Sequence, residues 1–421
     1  MENYVIILCI LGIMVFLNAL ADKLKLSAPV LLILVGIILS IIPGIPTISI
    51  SSEIIFLLFL PPLLYDAAFN LPFQHFKEHL GTISSLAFGL VFLTTVVIAV
   101  VAHYMIPGMS WSLSFVLGAI LSATDAVAAI TITKNFTLTN NTKVILEGES
   151  LMNDASALVA YRFALASVMG SAFVWWKASF SFVLLLAGGV FVGFIIAYIL
   201  SFILRLVREN VIAVNSFILL SPFITYLVAE ELDVSGVIAV VVLGFGMSRL
   251  SKAKFTDKIK TQSENIWSVI IYLLNGLIFI LIGLELRVVV KDLDTSALLW
   301  YTLYAFVITI VAVILRTMRV FSKRRSLQFA YQNPKFKNSR RKVSENILLS
   351  FQESLIISWS GMRGVVSLAI AAALPQYLNN GLVFPMRNAI LFITFMVILF
   401  SIVGQGFLLP VIIKNTQSAD E

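Results

Sequence analysis

Thirteen predominantly apolar stretches, separated by short polar turns, run through the chain: 4–20, 28–42, 53–71, 81–105, 111–132, 143–169, 178–207, 211–230, 235–248, 263–286, 295–318, 349–374 and 387–412. A helix needs about 20 such residues to cross a bilayer. The pattern therefore predicts an all-α polytopic membrane protein of about thirteen transmembrane helices. Two stretches carry polar interruptions at mid-length. These are Ser122-Ala123-Thr124-Asp125 within 111–132 and Ser358-Trp359-Ser360-Gly361-Met362-Arg363-Gly364 within 349–374. They are seven stretches apart, and an odd offset reverses the direction of crossing. Broken or polar helices at matching places in two oppositely oriented halves mark a transporter built from two inverted repeats. The two unwound segments are then expected to cross, because free backbone at that depth must line a cavity or face protein.

Composition agrees with the pattern. The chain is 60% hydrophobic and 12% charged, where soluble domains carry about 25% charged residues. No polar stretch is long enough to fold alone. Of the 29 Lys and Arg residues, 22 fall in one set of alternate turns and the C-terminus, and 4 in the other set. Arg162, Arg316 and Arg363 lie inside stretches. Positive charge collects on the cytoplasmic side. That places the N-terminus outside and the C-terminus in the cytoplasm of a cell membrane, with 319–346 as a basic cytoplasmic loop. The net charge of +7 is thereby accounted for without nucleic acid. Cys9 is the one cysteine, which excludes an intrachain disulfide. The start, Met1-Glu2-Asn3, lacks the basic residue and cleavage site of a removed signal peptide. His75 and His79 have a possible metal spacing. With no HExxH pattern and no cysteine cluster, they read as interfacial histidines.

The stretch 143–169 holds the chemistry. An ionised side chain at mid-bilayer costs about 2.5–3.5 kcal/mol on insertion scales, yet this stretch carries Glu149, Asn153 and Asp154. On a helix, Ser150 and Asp154 share one face, and Glu149 and Asn153 the neighbouring one. At 1.5 Å per residue from Lys143, Glu149 lies about 9 Å deep and Asp154 about 16 Å deep, near the midplane. The break in 111–132 brings Thr124 and Asp125 to similar depth. Carboxylate, hydroxyl and free carbonyl oxygens are what hard monovalent cations take as ligands. Asp154, Ser150 and Thr124 are therefore candidate Na⁺ ligands, with Asn153 beside them. Asp125 either ligates the ion or compensates half-helix dipoles, and Arg363 could serve the opposite half-helix ends. Glu149 and Arg316 fall at comparable depth and are expected to form a structural pair, since a stranded buried charge costs about 3–5 kcal/mol. Asp66, after Pro61-Pro62, could line an ion entrance or cap an interface. Glu285 and Glu353 read as interfacial, and Arg162 as snorkelling or paired. A lone intramembrane Asp is often only a satisfied helix contact. Four charged groups together in broken or polar stretches favour ion handling.

These residues closely resemble the cation:proton antiporter-1 family of monovalent cation/proton exchangers. The matching pieces are Phe59-Leu60-Pro61-Pro62-Leu63-Leu64, Ala123-Thr124-Asp125, Gly148-Glu149-Ser150-Leu151-Met152-Asn153-Asp154, Leu281-Ile282-Gly283-Leu284-Glu285 and Gly361-Met362-Arg363-Gly364. They span nearly the whole chain in family order, and the Gly-Glu-Ser-x-x-Asn-Asp piece is the specific one. The resemblance implies thirteen helices in a dimerisation scaffold (1–80 and 211–290) and an ion-translocating core (81–169 and 295–412), joined by a linker helix (178–207), in a homodimer. It implies that Asp154 carries the ion or the proton, with Thr124, Asp125 and Ser150 at or beside it. It also implies an arginine partner for Glu149, Arg316 or its neighbour Arg319. Asn153 stands where electrogenic relatives have a second Asp, which implies electroneutral exchange. Only about ten residues follow the last stretch, so the long regulatory tail of animal members is not expected.

The expected function is one-for-one exchange of Na⁺ (or Li⁺ or K⁺) for H⁺ by alternating access, without a cofactor and without enzymatic turnover. A K⁺/H⁺ antiporter is the nearest alternative. A channel lacks support, because no filter-like Thr-Val-Gly-Tyr-Gly loop occurs. From a different class, an intramembrane aspartyl-type hydrolase could use Asp125 and Asp154 as its pair.

Overall fold

The computed structural model describes residues 2–24, 27–42, 55–133, 136, 138–170, 175–290, 293–332 and 345–417. Helices make up nearly all of them: α1 (Glu2–Leu24), α2 (Ala28–Ile41), α3 (Leu60–Asn70), α4 (Phe73–Ser84), α5 (Val91–Met105), α6 (Trp111–Ile120), α7 (Ala126–Ile132), α8 (Asn140–Val168) and α9 (Trp175–Leu206). The second half holds α10 (Val211–Glu231), α11 (Gly236–Lys254), α12 (Asp257–Val290), α13 (Thr295–Gln332), α14 (Phe351–Trp359), α15 (Val365–Ala372), α16 (Arg387–Leu399) and α17 (Gly406–Gln417). Wider π turns precede α3 and join α4 to α5 and α16 to α17.

The polar turns act as helix starts. Hydroxyl or carboxamide oxygens of Ser110, Thr139, Asn210, Ser235 and Ser350 each accept a backbone N–H from the first turn that follows, filling donors a helix cannot satisfy itself. At Ser350 the arrangement is a full capping box with Glu353. Glu353 also accepts from Thr139 at 2.7 Å, which ties the start of α14 to the start of α8.

Seven helices among the described residues are each long and apolar enough to cross a membrane, and four more are apolar but shorter. The helices outside that set are α8, rich in acidic and amide side chains, and the short pieces made by the breaks. The two stretches with polar interruptions are unwound as expected, between α6 and α7 and between α14 and α15. The unwound segments meet, with the Asp125 N–H donating to the Met362 carbonyl at 2.7 Å. Crossed broken helices are thus present.

Several helices outrun their apolar stretches. Helix α4 begins at Phe73 and runs through the polar residues before 81, and α12 starts at Asp257. The expected basic loop at 319–346 is shortened: α13 stays helical to Gln332, and 333–344 lie outside the described residues. Hydropathy marks where a helix leaves hydrocarbon, and Lys and Arg, good helix formers, carry it on into water. His79 is buried within the protein, and its Nε2 meets Asn141 Oδ1 at 3.0 Å. His75 instead pairs with Glu78, so the two do not converge.

Helix packing places the site. Helices α2 and α12 meet backbone to backbone at Gly36 and Gly283, where a Cβ on either would collide with the other helix's backbone. Residues of α3, α9, α10 and α11 share one apolar cluster. Residues of α5, α6, α8, α13, α15 and α16 form another. A cavity lined by α3 and by α7, α8 and α15 lies between these groups.

Candidate ion-binding site

Four half-helices end at the crossing. Leaving the helix at 121–125 and 360–364 exposes two N-termini, of α7 and α15, and two C-terminal ends, of α6 and α14. Each pair of ends holds one charged side chain of opposite sign, as helix dipoles require. Asp125 caps α7, its Oδ1 accepting the Val127 N–H at 2.8 Å. Backbone N–H groups of Ala128 and, from α15, Val365 also reach this carboxylate. Arg363 serves the other ends: its Nε donates to Leu121 O at 3.2 Å and its Nη1 to Gly361 O at 2.9 Å. Its own N–H is held by Ser401 at 2.9 Å, from the π turn Phe400–Gln405.

Helix α8 passes beside the crossing. Glu149 is 2% exposed and is gripped two-handed by Arg316, at 2.5 and 2.8 Å. Arg316, equally buried, also donates through Nε to Ile357 O at 2.9 Å. Parallel N–H···O pairs of this kind are the strong form of the arginine–carboxylate contact. Arg319 lies one turn on, against Gly89. The lattice continues through Thr124, which donates to Glu149 at 3.2 Å and accepts from Asn153 at 2.6 Å. Asn153 also donates to the Thr124 carbonyl at 2.9 Å.

One face of α8 opens onto a cavity of about 260 Å³. Asp154, 6% exposed, projects there, and among the described residues it has no hydrogen-bond or ion-pair partner. Asp125, Ser150 and Asp66 line the same space. The Ser150 hydroxyl lies 3.4 Å from both the Thr124 carbonyl and the Ala126 N–H. Thr124 and Asn153 do not line the cavity; the Thr124 hydroxyl and the Asn153 Nδ2 are engaged behind its wall, and Asn153 Oδ1 is buried without a partner among the described residues. Asp66 accepts from Asn70 at 2.9 Å. Both residues also line a second cavity of about 530 Å³ that reaches Lys252 and Lys260. Asp66, Asn70 and Ile271 thus stand between the first cavity and the one that reaches these lysines.

Two lining residues went unnoticed in the sequence. Glu147 lies three residues before Ser150 and seven before Asp154, so helical periodicity alone would have put it on their face. Asn275 is the one amide in an apolar run of α12, and its Oδ1 is buried without a partner. Arg162 pairs with Glu230 at 2.9 Å. Glu285 lies elsewhere, in a small separate cavity. Among the described residues no group of three or more His, Cys, Asp or Glu is arranged to hold a metal ion.

An acidic oxygen set buried at crossed half-helices and facing a cavity suits reversible binding of a small cation or a proton. Comparison with known proteins agrees. The chain is 33% identical to antiporters of Bacillus pumilus and Bacillus subtilis named for sodium, potassium, lithium and rubidium/H⁺; these matches cover 98% of this chain. The chain spans 61–62% of those relatives' length. It is 31% identical to the Na⁺/H⁺ antiporter NhaH of Halobacillus aidingensis, with 98% of both chains covered. The fold matches the sodium proton antiporter MjNhaP1 of Methanocaldococcus jannaschii, with a TM-score of 0.68, 20% identity and 98% and 99% of the two chains covered. The family model described as "Sodium/hydrogen exchanger, transmembrane" matches residues 6–415. The chain belongs to the transmembrane sodium/hydrogen exchanger family.

Proposed function

We propose that this chain exchanges one Na⁺ for one H⁺ by alternating access, with Asp154 as the carrier group. The observation that carries this reading is the isolation of Asp154. It is a buried carboxylate without a partner among the described residues, facing a cavity that shares Asp66 and Asn70 with a second, lysine-lined cavity. An unpaired buried charge is costly. Either a cation or a proton relieves the cost, and one carboxylate holds one of them at a time. The occupied forms are neutral and can move across; the empty anion stays. Coupling then needs no second site.

Ser150, one helical turn from Asp154, supplies a hydroxyl ligand, and Asp66 guides the cation inward from the second cavity. Thr124 and Asn153 act by fixing α8 against the break. Asp125 keeps its charge matched by backbone N–H groups of α7 and α15. Glu149–Arg316 neutralises itself. One exchangeable charge per cycle makes the exchange electroneutral.

The cavity lies between α3 and α12 on one side and α7, α8 and α15 on the other. This favours a scaffold of 1–80 and 211–290 against a moving core of 81–169 and 295–412, with 178–207 as linker. We place the lysine-bearing face, with the C-terminus, in the cytoplasm of a cell membrane, and the protein in a homodimer surrounded by lipid. K⁺ as the main cation is the second reading, favoured by the names of the Bacillus relatives. In proteoliposomes carrying a proton gradient, Na⁺ should dissipate the gradient. Asp154→Asn should abolish that flux, and a planar membrane should record no charge movement. Full exchange by Asp154→Asn would end the assignment, and a current during turnover would end electroneutrality. Running the assay with Li⁺ and K⁺ as well decides the preferred cation.

A further inference from the structure

Three buried apolar side chains, Phe59, Ile278 and Val365, line the cavity holding Asp154. The same three form one wall of another cavity, of about 20 Å³, on their far side. A space of this size holds one water or one ion stripped of most of its water. Its single charged lining residue is Glu285.

The two cavities lie on one line. On α12 the first is lined at 271, 275 and 278, and the second at 278, 281 and 285, which is a single helical stripe. On α15 the lining passes from Val365 and Ala369 to Leu368 and Ala372. Both helices advance towards the face opposite the lysines. Helix α12 begins near Lys260, a wall of the lysine-side cavity, and ends past Arg287. Arg387, at the start of α16, lies within electrostatic range of Glu285.

We propose that Glu285 is a second cation-accepting group, at the mouth of the pathway on the face opposite the lysines, and that Phe59, Ile278 and Val365 form the closed gate between it and Asp154. This rests on the exchange function proposed above. When the core shifts against the scaffold, the apolar layer parts. Asp154 then meets the small cavity in place of the large one, and Glu285 offers its carboxylate to the cation arriving or leaving there. The chemistry it recognises is a small monovalent cation, the same one Asp154 carries.

The test has two arms. Because Cys9 is the one cysteine, Cys9→Ser gives a thiol-free background into which Ala372→Cys is placed. A membrane-impermeant thiol reagent should label this residue from the face opposite the lysines. From the lysine face it should label only after Phe59→Ala is added. Labelling from the lysine face with Phe59 intact, or from neither face, overturns the gate. In the second arm, Glu285→Gln should raise the Na⁺ concentration for half-maximal exchange about tenfold when Na⁺ is supplied opposite the lysines. The value from the lysine face should stay unchanged. Equal change from both faces, or none, overturns the role of Glu285. Absence of exchange in the unmodified protein would instead strike the antiport reading, and the labelling arm would still decide the gate.

Discussion

Gly364 has no room for a methyl group. A Cβ there would strike the Asp125 carboxylate, and one on Gly361 would strike the Arg316 side chain. The Gly-Met-Arg-Gly piece thus has a job at each position: space for Arg316, a carbonyl for the Asp125 N–H, a cation for the α6 and α14 ends, and space for Asp125. Gly364→Ala should leave the fold in place and displace Asp125. Exchange should fall by a factor of about ten or more, the effect of losing part of a buried hydrogen-bonded charge contact. Measuring flux and thermal stability on the same preparation checks this; a variant with normal flux would show that Asp125 tolerates the shift. Glu149→Gln should be among the most destabilising single changes, about 3–5 kcal/mol, because it strands the Arg316 charge. Removing both, as Glu149→Gln with Arg316→Met, should recover a large part of that loss, read as the melting midpoint in detergent. The acidic and amide residues of 143–169 were legible in sequence because charge is rare in hydrocarbon. What each one touches was not. Thr124 and Asn153 looked like ligands because they share the depth of Asp154, yet depth does not say which way a side chain turns. Glu147 escaped notice for the opposite reason, lying outside the quoted motif while sharing the Asp154 face.

At the scale of elements, the breaks were readable and the helix ends were not. Ser-Ala-Thr-Asp and Ser-Trp-Ser-Gly-Met-Arg-Gly stand out against long apolar runs, so both unwound segments could be placed to within a few residues. Helix α13 continues well past its apolar stretch because the signal tracks contact with lipid, and helix propensity does not change at the water boundary. The Ser350 cap shows how strongly one short motif is used. Ser350 and Glu353 close the first turn of α14, and Thr139 joins α8 to it. Ser350→Ala should lower stability by about 1 kcal/mol, the ordinary value of a lost N-cap. Glu353→Gln should loosen α8 and α14 together, which hydrogen exchange at 139–145 and 350–356 would register. Protection lost at α14 alone would mean that the Thr139 contact carries no coupling.

For the whole molecule, binding to a single buried carboxylate has a thermodynamic signature. At Na⁺ a hundredfold above its dissociation constant the folded state should gain about 2.7 kcal/mol, visible as a rise in melting temperature. Asp154→Asn should show no such rise. In the exchange proposed, protons and Na⁺ compete for the same oxygens. Lowering the pH should therefore weaken apparent Na⁺ affinity, by up to about tenfold per unit once the proton dominates the site. Titrating the thermal shift with Na⁺ at several pH values measures this directly, and an affinity independent of pH would rule out a shared site. The crossing also bears on how the protein is made. The Asp125 N–H of the first half donates to the Met362 carbonyl of the second, and Arg363 from the second half donates to the end of α6. Neither half can finish its own broken helix. During synthesis, residues up to about 170 must wait in the bilayer, with the crossing incomplete, until the ribosome has passed Val365. Biogenesis of this protein should therefore be sensitive to premature termination at any point before 365, and two separately translated halves should accumulate only when expressed together.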